Sequence, residues 1–395
     1  MIDMVVALLG YFLIYSVPIL LFFIADRTKS LSMKKVFIAV GVLFLSAIGG
    51  LRNLEVGTDT SETIIRYFDK LDFQSQDLVT FVSDRTIIYT MLSAILKALG
   101  LSSISMLFTL QLLCILPITI VAYRKRERIP IAFTMAVYLF LFFQLSFNWI
   151  RQSIAASFFL LAVDSYHQNK KHIKGYMLFL LSVLFHSSAV IGIAICIVAI
   201  ILMRIENKYV KCLIYILTLV LVFLILRQWK NISLWLIDIG ILPYSYIGYV
   251  NVFSGAHGNS FRGWFTIGKL SYIEYAMRVT FFCLPAVLKQ SRYHMGLAQE
   301  EQYEENFYCI FAFFGILLYS IAFWGFHTTY GNRLAYYSDV ANTVYFGMGY
   351  RKSMKTQNRS IVITNLALVV LCVMYNLLLY YFMGWHGTVP YRFSF

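Results

Sequence analysis

The sequence predicts an all-α integral membrane protein, a polytopic helical bundle of roughly 12 spans (about 10 to 14). Three observations carry that expectation. Of the 395 residues, 60% are hydrophobic and 13% charged, with a mean hydropathy of +0.72; a soluble domain runs near 45–50% apolar, with roughly a quarter of its residues charged. The apolar residues fall in repeated uninterrupted runs long enough to cross a hydrocarbon core of about 30 Å. Lys and Arg gather in a subset of short loops, the bias that sets membrane orientation. Short loops, with neither an internal repeat nor a low-complexity linker, point to a single polytopic membrane domain over 1–395.

Taken in order, the runs place spans near 4–25, 35–51, 104–123, 129–147, 152–167, 174–186, 187–203, 210–226, 272–288, 307–326, 333–350 and 360–383. The first, behind Met-Ile-Asp, has no basic leader and no small-residue cleavage site, so it reads as an anchor. Loops 26–35, 124–128, 168–174, 204–211, 289–306 and 351–359 hold twenty of the 33 basic residues and go to the cytoplasmic side. Both termini then lie outside. Residues 86–100 are apolar, but a span there would move the bases at 124–128 outside, so an amphipathic helix on the outer surface fits better. It belongs to an extracytoplasmic loop over 52–103, and a second such loop is expected at 251–271. The run 174–203 is interrupted by His186, Ser187 and Ser188 and reads either as two short helices or as one long tilted one. Residues 232–250 could dip into the membrane.

A net charge of +14 raises nucleic acid for a soluble chain. Here it belongs to the orienting loops, and no basic stripe with interleaved aromatics lies outside the apolar runs, so no nucleic-acid partner is expected. The six cysteines sit singly in apolar stretches without C-x-x-C spacing and read as small core residues. No P-loop, dinucleotide fingerprint, H-E-x-x-H or G-x-S-x-G appears in its required context, and no Asp-x-Asp pair stands at an outer helix end. Neither a metal nor a cofactor is called for.

A few polar residues exceed what packing needs. Arg52 follows directly on the second span, and Gly57-Thr58-Asp59-Thr60 reads as a turn and helix start, with Asp59 or Thr60 as the cap. The segment is either a capped loop or a basic, hydroxyl-rich lip over a headgroup. Asn148-Trp149-Ile150-Arg151-Gln152-Ser153 stands at an outer helix end. Arg suits a phosphate or pyrophosphate because its planar fork bonds two oxygens and stays charged, and at a helix N-terminus it reinforces the positive end of the dipole. His186, at a helix break, can act on a hydroxyl acceptor as general base. Arg333 resembles Arg151 in placement. Glu274 and Arg278, one turn apart, can simply pair. Arg52, Asp59, Arg151, His186 and Arg333 are thus expected on one face of the bundle, where cations would hold an anionic lipid headgroup without a divalent ion.

These residues make the sequence resemble the EpsG family of Wzy-like exopolysaccharide and capsule polymerases. The matching pieces are Gly50-Leu51-Arg52, Val56-Gly57-Thr58-Asp59-Thr60, Arg151-Gln152-Ser153-Ile154-Ala155, Lys170-Lys171, Phe185-His186-Ser187-Ser188-Ala189 and Asn332-Arg333-Leu334. Where the family often shows a Gly-Tyr-Glu-like element before the helix at 86–100, this chain has Ser83-Asp84-Arg85. The resemblance implies a GT-C-like bundle in the bacterial cytoplasmic membrane that joins undecaprenyl-diphosphate-linked oligosaccharide units at its extracytoplasmic face. It also implies flippase, chain-length and export proteins as partners. Arg52, Thr58, Arg151, Gln152 and Arg333 would bind pyrophosphate or glycan; His186, Asp59 and Arg151 would serve catalysis. The competing expectations are a flippase for the same lipid-linked sugar, a related membrane glycosyltransferase or ligase, and an O-acyltransferase.

Overall fold

Residues 2–63, 68–69, 71, 87–168, 173–240, 247, 272–280, 283, 299–325, 328–347, 359–384 and 387–394 are described by a computed structural model. Among them the regular structure is helical, and the one β contact is an isolated bridge between Arg52 and Phe393. This follows from the solvent, since a hydrocarbon core offers no partner to a backbone N–H or C=O and a helix satisfies its own. The helices are α1 (Ile2–Arg27), α2 (Leu31–Gly50), α3 (Ile87–Ala98), α4 (Ser103–Arg124), α5 (Ile131–Tyr138), α6 (Ile150–Gln168), α7 (Ile173–Phe185) and α8 (Ala189–Arg204). They continue as α9 (Lys208–Arg227), α10 (Trp229–Asp238), α11 (Gln299–Gly325), α12 (Thr328–Gly347) and α13 (Arg359–Asn376). Among the described residues three helices are long and apolar enough to cross a membrane, over Leu9–Arg27, Leu31–Gly50 and Ser103–Arg124, and shorter apolar helices pack beside them.

Several element boundaries differ from those read off the apolar runs. The run 129–147 is α-helical only to Tyr138, then widens to a π-helix over Leu139–Phe143 and tightens to a 3-10 turn at Leu145–Phe147. Apolarity cannot report such a change, because every residue from 139 to 143 is Leu or Phe. α11 starts well before the predicted 307, and Glu304 in its second turn pairs with Lys125 and Arg128. The expected dip at 232–250 is the short helix α10 as far as residue 238; most of 241–250 lies outside the described residues, as do the second loop, 251–271, and Ser83-Asp84-Arg85.

At one end of the bundle ion pairs gather the helix termini. Arg124 and Lys125, closing α4, lie 2.9 and 3.1 Å from the two oxygens of Asp164 on α6. Lys125 also pairs with Glu304 of α11, whose other oxygen is 2.7 Å from Arg128. Lys125 and Asp164 are buried. The Asp26 carboxylate accepts from the backbone N–H of Ile131 and Ala132, 3.0 Å each, and so caps α5 from the end of α1. Gly347, closing α12, packs on Ile129 at the same end. The bases at 124–128, read above as orienting charges, therefore also clamp three helices.

The chain reverses at residues 186–188. Phe159 of α6 touches Phe179 of α7, with ring centroids 5.6 Å apart, and also lines the close approach of Gly192 on α8. Residues thirteen apart lie about 20 Å apart along one helix, so α7 and α8 run side by side in opposite directions. This resolves the choice between two short helices and one long one in favour of two. Each buries one face, with Ser182 Oγ donating to Ala155 O at 2.7 Å, while Met177, Leu180, Val190 and Ile197 remain exposed. α2 meets α4 through Gly49 and Gly50, where any Cβ would collide with Gln111 and Phe108.

A second polar cluster lies among the helices. Glu274 and Arg278 approach to 3.9 Å, but Arg278 pairs more closely with Asp339 of α12, and Glu274 accepts from the hydroxyls of Tyr319 and of Tyr375, the latter at 2.7 Å. The simple Glu274–Arg278 pair is thus a five-residue network. The C-terminal residues 387–394 cover the end of the bundle opposite the ion pairs. Tyr391 donates to Ile48 O, Ser394 N–H to Leu51 O and Asn53 N–H to Arg392 O. Inside that cover Tyr11, Tyr15, Gln144, Asn376 and Thr388 share hydrogen bonds of 2.5 to 3.2 Å.

Asp164→Asn leaves Arg124 and Lys125 facing a neutral amide. Because breaking a buried pair strands a charge, the variant is expected to lose on the order of 3 kcal/mol, read as a lower Tm of the detergent-solubilised protein. Glu55→Gln, at an exposed pair with Arg392, leaves Tm unchanged.

Candidate functional site

At the end of the bundle away from the ion pairs, the connection 147–149 organises the surrounding segments. The Phe147 carbonyl accepts from Thr60 Oγ1 at 3.2 Å, and its ring carries the Arg52 guanidinium 4.6 Å from the centroid. Asn148 Oδ1 accepts from Thr58 Oγ1 at 3.2 Å and from the Asp59 N–H at 3.1 Å. Gly57 has φ +93°, and a Cβ there would meet Thr60 Oγ1 at 2.8 Å and Asn148 Oδ1 at 3.0 Å. Only a glycine lets the 57–60 turn sit this close to Asn148.

Beyond the connection, Arg151 stands in the first turn of α6, its guanidinium 5.7 Å from the ring of Tyr89 on α3. Arg333 enters from α12 and lies 5.3 Å from the Trp149 ring. Its Nε is buried and, among the described residues, has no hydrogen-bond partner. The two helices are stitched together beside these cations: Gln152 Nε2 donates to Arg333 O at 2.6 Å, Ser153 Oγ lies 2.9 Å from Tyr336 OH, and Trp149 meets Tyr336 edge-on at 5.6 Å. His186 occupies the turn that brings α7 back as α8. Burial pushes its imidazole down to about 3, with the Arg151 and Arg333 guanidiniums adding to the effect, so the ring is neutral at physiological pH. Its Nδ1 faces Ser188, whose N–H is 3.2 Å and Oγ 2.6 Å away.

The structure thus brings Arg151, Gln152, His186 and Arg333 together. Arg52, Thr58 and Asp59 contact Phe147 and Asn148 of the 147–149 connection. Arg52 is 1% exposed; besides Phe147 it bonds Gly49 O at 2.5 Å and Thr60 Oγ1 at 3.4 Å. Burial lowers its guanidinium to about 10, still charged at neutral pH. Its contacts clamp the loop, where a snorkelling or headgroup-facing side chain was expected. Thr58 is exposed and Asp59 half-buried. Gln152 is buried and committed to the α12 backbone. Sequence reading passed over Trp149 and Tyr89 as platforms for the two cations and Ser188 and Tyr337 as partners of the histidine. An interfacial aromatic beside an Arg was the available signal for the first pair. Asp339 also went unremarked, although it is the one acidic residue in the predicted span 333–350. Among the described residues no group of three or more His, Cys, Asp or Glu side chains is placed to hold a metal ion.

Against this geometry the whole-chain comparison is decisive: the model of the EpsG family matches residues 35–393. The chain belongs to the EpsG family. This is a Wzy-like polysaccharide polymerase family, so membership implies a membrane polysaccharide polymerase role, and with the apolar helices it points to a bacterial membrane protein. The match runs through the middle of the chain, 200–325, where the sequence showed only further membrane helices. No curated protein and no solved structure matches significantly.

In this EpsG-family chain, Gly57→Ala would force a positive φ on an L-residue and push Asn148 off the turn. A cost of about 1–2 kcal/mol is expected, seen as a lower Tm. Gly10→Ala, with nothing within 4 Å of the added methyl, is the neutral comparison.

Proposed function

We propose that the protein polymerises undecaprenyl-diphosphate-linked oligosaccharide repeat units into a surface polysaccharide at the outer leaflet of the bacterial cytoplasmic membrane, as a glycosyltransferase-type polymerase. The observation that carries this reading is the buried Nε of Arg333, without a hydrogen-bond partner among the described residues, beside the neutral His186 and Arg151 at a helix N-terminus. A buried donor without an acceptor is costly unless a ligand supplies one. A pyrophosphate does so, and two guanidiniums can bind it from two sides.

In the transfer, a sugar hydroxyl of one unit attacks the anomeric carbon of another. The new C–O bond forms as the bond from that carbon to the pyrophosphate oxygen breaks, and the electron pair leaves on the pyrophosphate. Arg151 and Arg333 stabilise the growing negative charge, helped by the positive end of α6. The hydroxyl proton passes to a base, for which His186 and Asp59 are the candidates. Arg52 and Thr58 act indirectly, holding the 52–60 loop against the 147–149 connection, and Gln152 fixes α12 so that Arg333 faces the site. The basic end faces the cytoplasm, where Lys and Arg concentrate. Flippase, chain-length and export proteins are the partners such a reaction needs, with the bilayer itself as the substrate's solvent.

Arg151→Ala and Arg333→Ala are expected to abolish polymer in cells that still make the protein and the lipid-linked single units. The units should then collect on the outer leaflet. Wild-type polymer in both variants contradicts the assignment, and collection on the inner leaflet indicates a flippase.

A further inference from the structure

Two hydrogen bonds to the His186 ring and a third behind them decide which ring nitrogen carries the proton. The Ser188 backbone N–H points at Nδ1 from 3.2 Å, and a backbone amide can only donate. Nδ1 therefore presents its lone pair, and a neutral imidazole in that state carries its proton on Nε2. The Ser188 hydroxyl, 2.6 Å from the same nitrogen, then gives its single proton to Nδ1. Its oxygen is left to accept, and Tyr337 OH lies 2.9 Å away to donate. Tyr337 is fully buried, with Phe159 edge-on to its ring at 5.7 Å and Gly192 against its Cβ, so the hydroxyl is held in place. The protons run one way, from Tyr337 to Ser188 to Nδ1.

We infer that Ser188 and Tyr337 are positioning residues that lock His186 in the Nε2–H form, so that the ring donates a hydrogen bond to an anionic substrate oxygen beside Arg151 and Arg333 and does not act as the proton acceptor. That the anion is a pyrophosphate rests on the proposed function; the tautomer does not. If His186 donates, the hydroxyl proton goes to Asp59, to solvent or to the departing pyrophosphate. Substrate then meets three donors converging from α6, α12 and the 186–188 turn. Each is set by a partner behind it, and losing one such hydrogen bond changes a rate by about fivefold to tenfold.

The test is 15N NMR of the full-length protein in nanodiscs with labelled histidine, the His186 signals being identified by their loss in His186→Gln. The expected result between pH 6 and 8 is a protonated Nε2 and an unprotonated Nδ1. A protonated Nδ1 overturns the proposal. In parallel, Ser188→Ala and Tyr337→Phe, which keep the Ser188 N–H but weaken or remove the hydroxyl bond to the ring, should lower polymerisation of purified lipid-linked units about tenfold and move the Nδ1 signal toward that of a free lone pair, with Ser188→Thr restoring both readouts. Wild-type rates with the Nδ1 signal unmoved in both variants would also overturn it. An Nε2–H ring in a protein that makes no polymer would instead count against the polymerase reading and leave the tautomer assignment standing. The wild-type spectrum decides even if a variant fails to fold.

Discussion

The end of the bundle that carries the candidate site depends on one short connection, Phe147–Trp149. Phe147 lends its ring to Arg52 and its carbonyl to Thr60. Asn148 ties down the turn at Thr58–Asp59 with a single side-chain oxygen. Trp149 supports both Arg333 and Tyr336. Irregular backbone at membrane depth survives only where protein or a watery cavity satisfies it. The π-helical and 3-10 segments leading into the connection meet that condition through Gln144 and Asn376, whose amides bond each other and the Phe140 carbonyl. A π-helical widening is a common feature of functional sites, and here it turns α5 so that α6 can begin with Arg151 facing the site.

The two ends of the molecule handle charge in opposite ways. At the basic end, Lys125, Arg124 and Arg128 meet Asp164 and Glu304, and those cations are neutralised within the protein. At the other end, Arg333 keeps a buried Nε with no acceptor among the described residues, and the imidazole beside it is neutral. Buried charge is tolerated when it is paired or when a ligand completes it. The first case describes a scaffold, and the second is the arrangement on which the proposed anion site rests. In the Glu274–Arg278–Asp339 network the charges pair with one another and tyrosine hydroxyls bond Glu274, while Asp339 Oδ1 has no hydrogen-bond partner among the described residues.

What could be read from the sequence follows from what each signal measures. Arg151, His186 and Arg333 were legible because each interrupts or flanks an apolar run, where an ionisable side chain needs a reason. The helix at 87–98 was legible from its apolar face and from the charge balance of the loops around it. Arg52 was found, but its burial was not, because burial came from Phe147, one more apolar residue in a long apolar run. The reversal at 186–188 hinged on whether Phe159 contacts both arms, a long-range packing fact with no local signature. The cover formed by residues 387–394 depends on backbone hydrogen bonds to Leu51 and Asn53, which no side-chain pattern announces.

The central claim is that Arg151 and Arg333 form an anion site that a diphosphate completes. Its most direct test is a thermal-shift titration of the purified protein with undecaprenyl diphosphate and undecaprenyl monophosphate. The account predicts a larger Tm increase with the diphosphate, lost in Arg151→Ala and Arg333→Ala and weakened by added salt. Equal shifts for the two lipids, or a diphosphate shift that survives both substitutions, would contradict it.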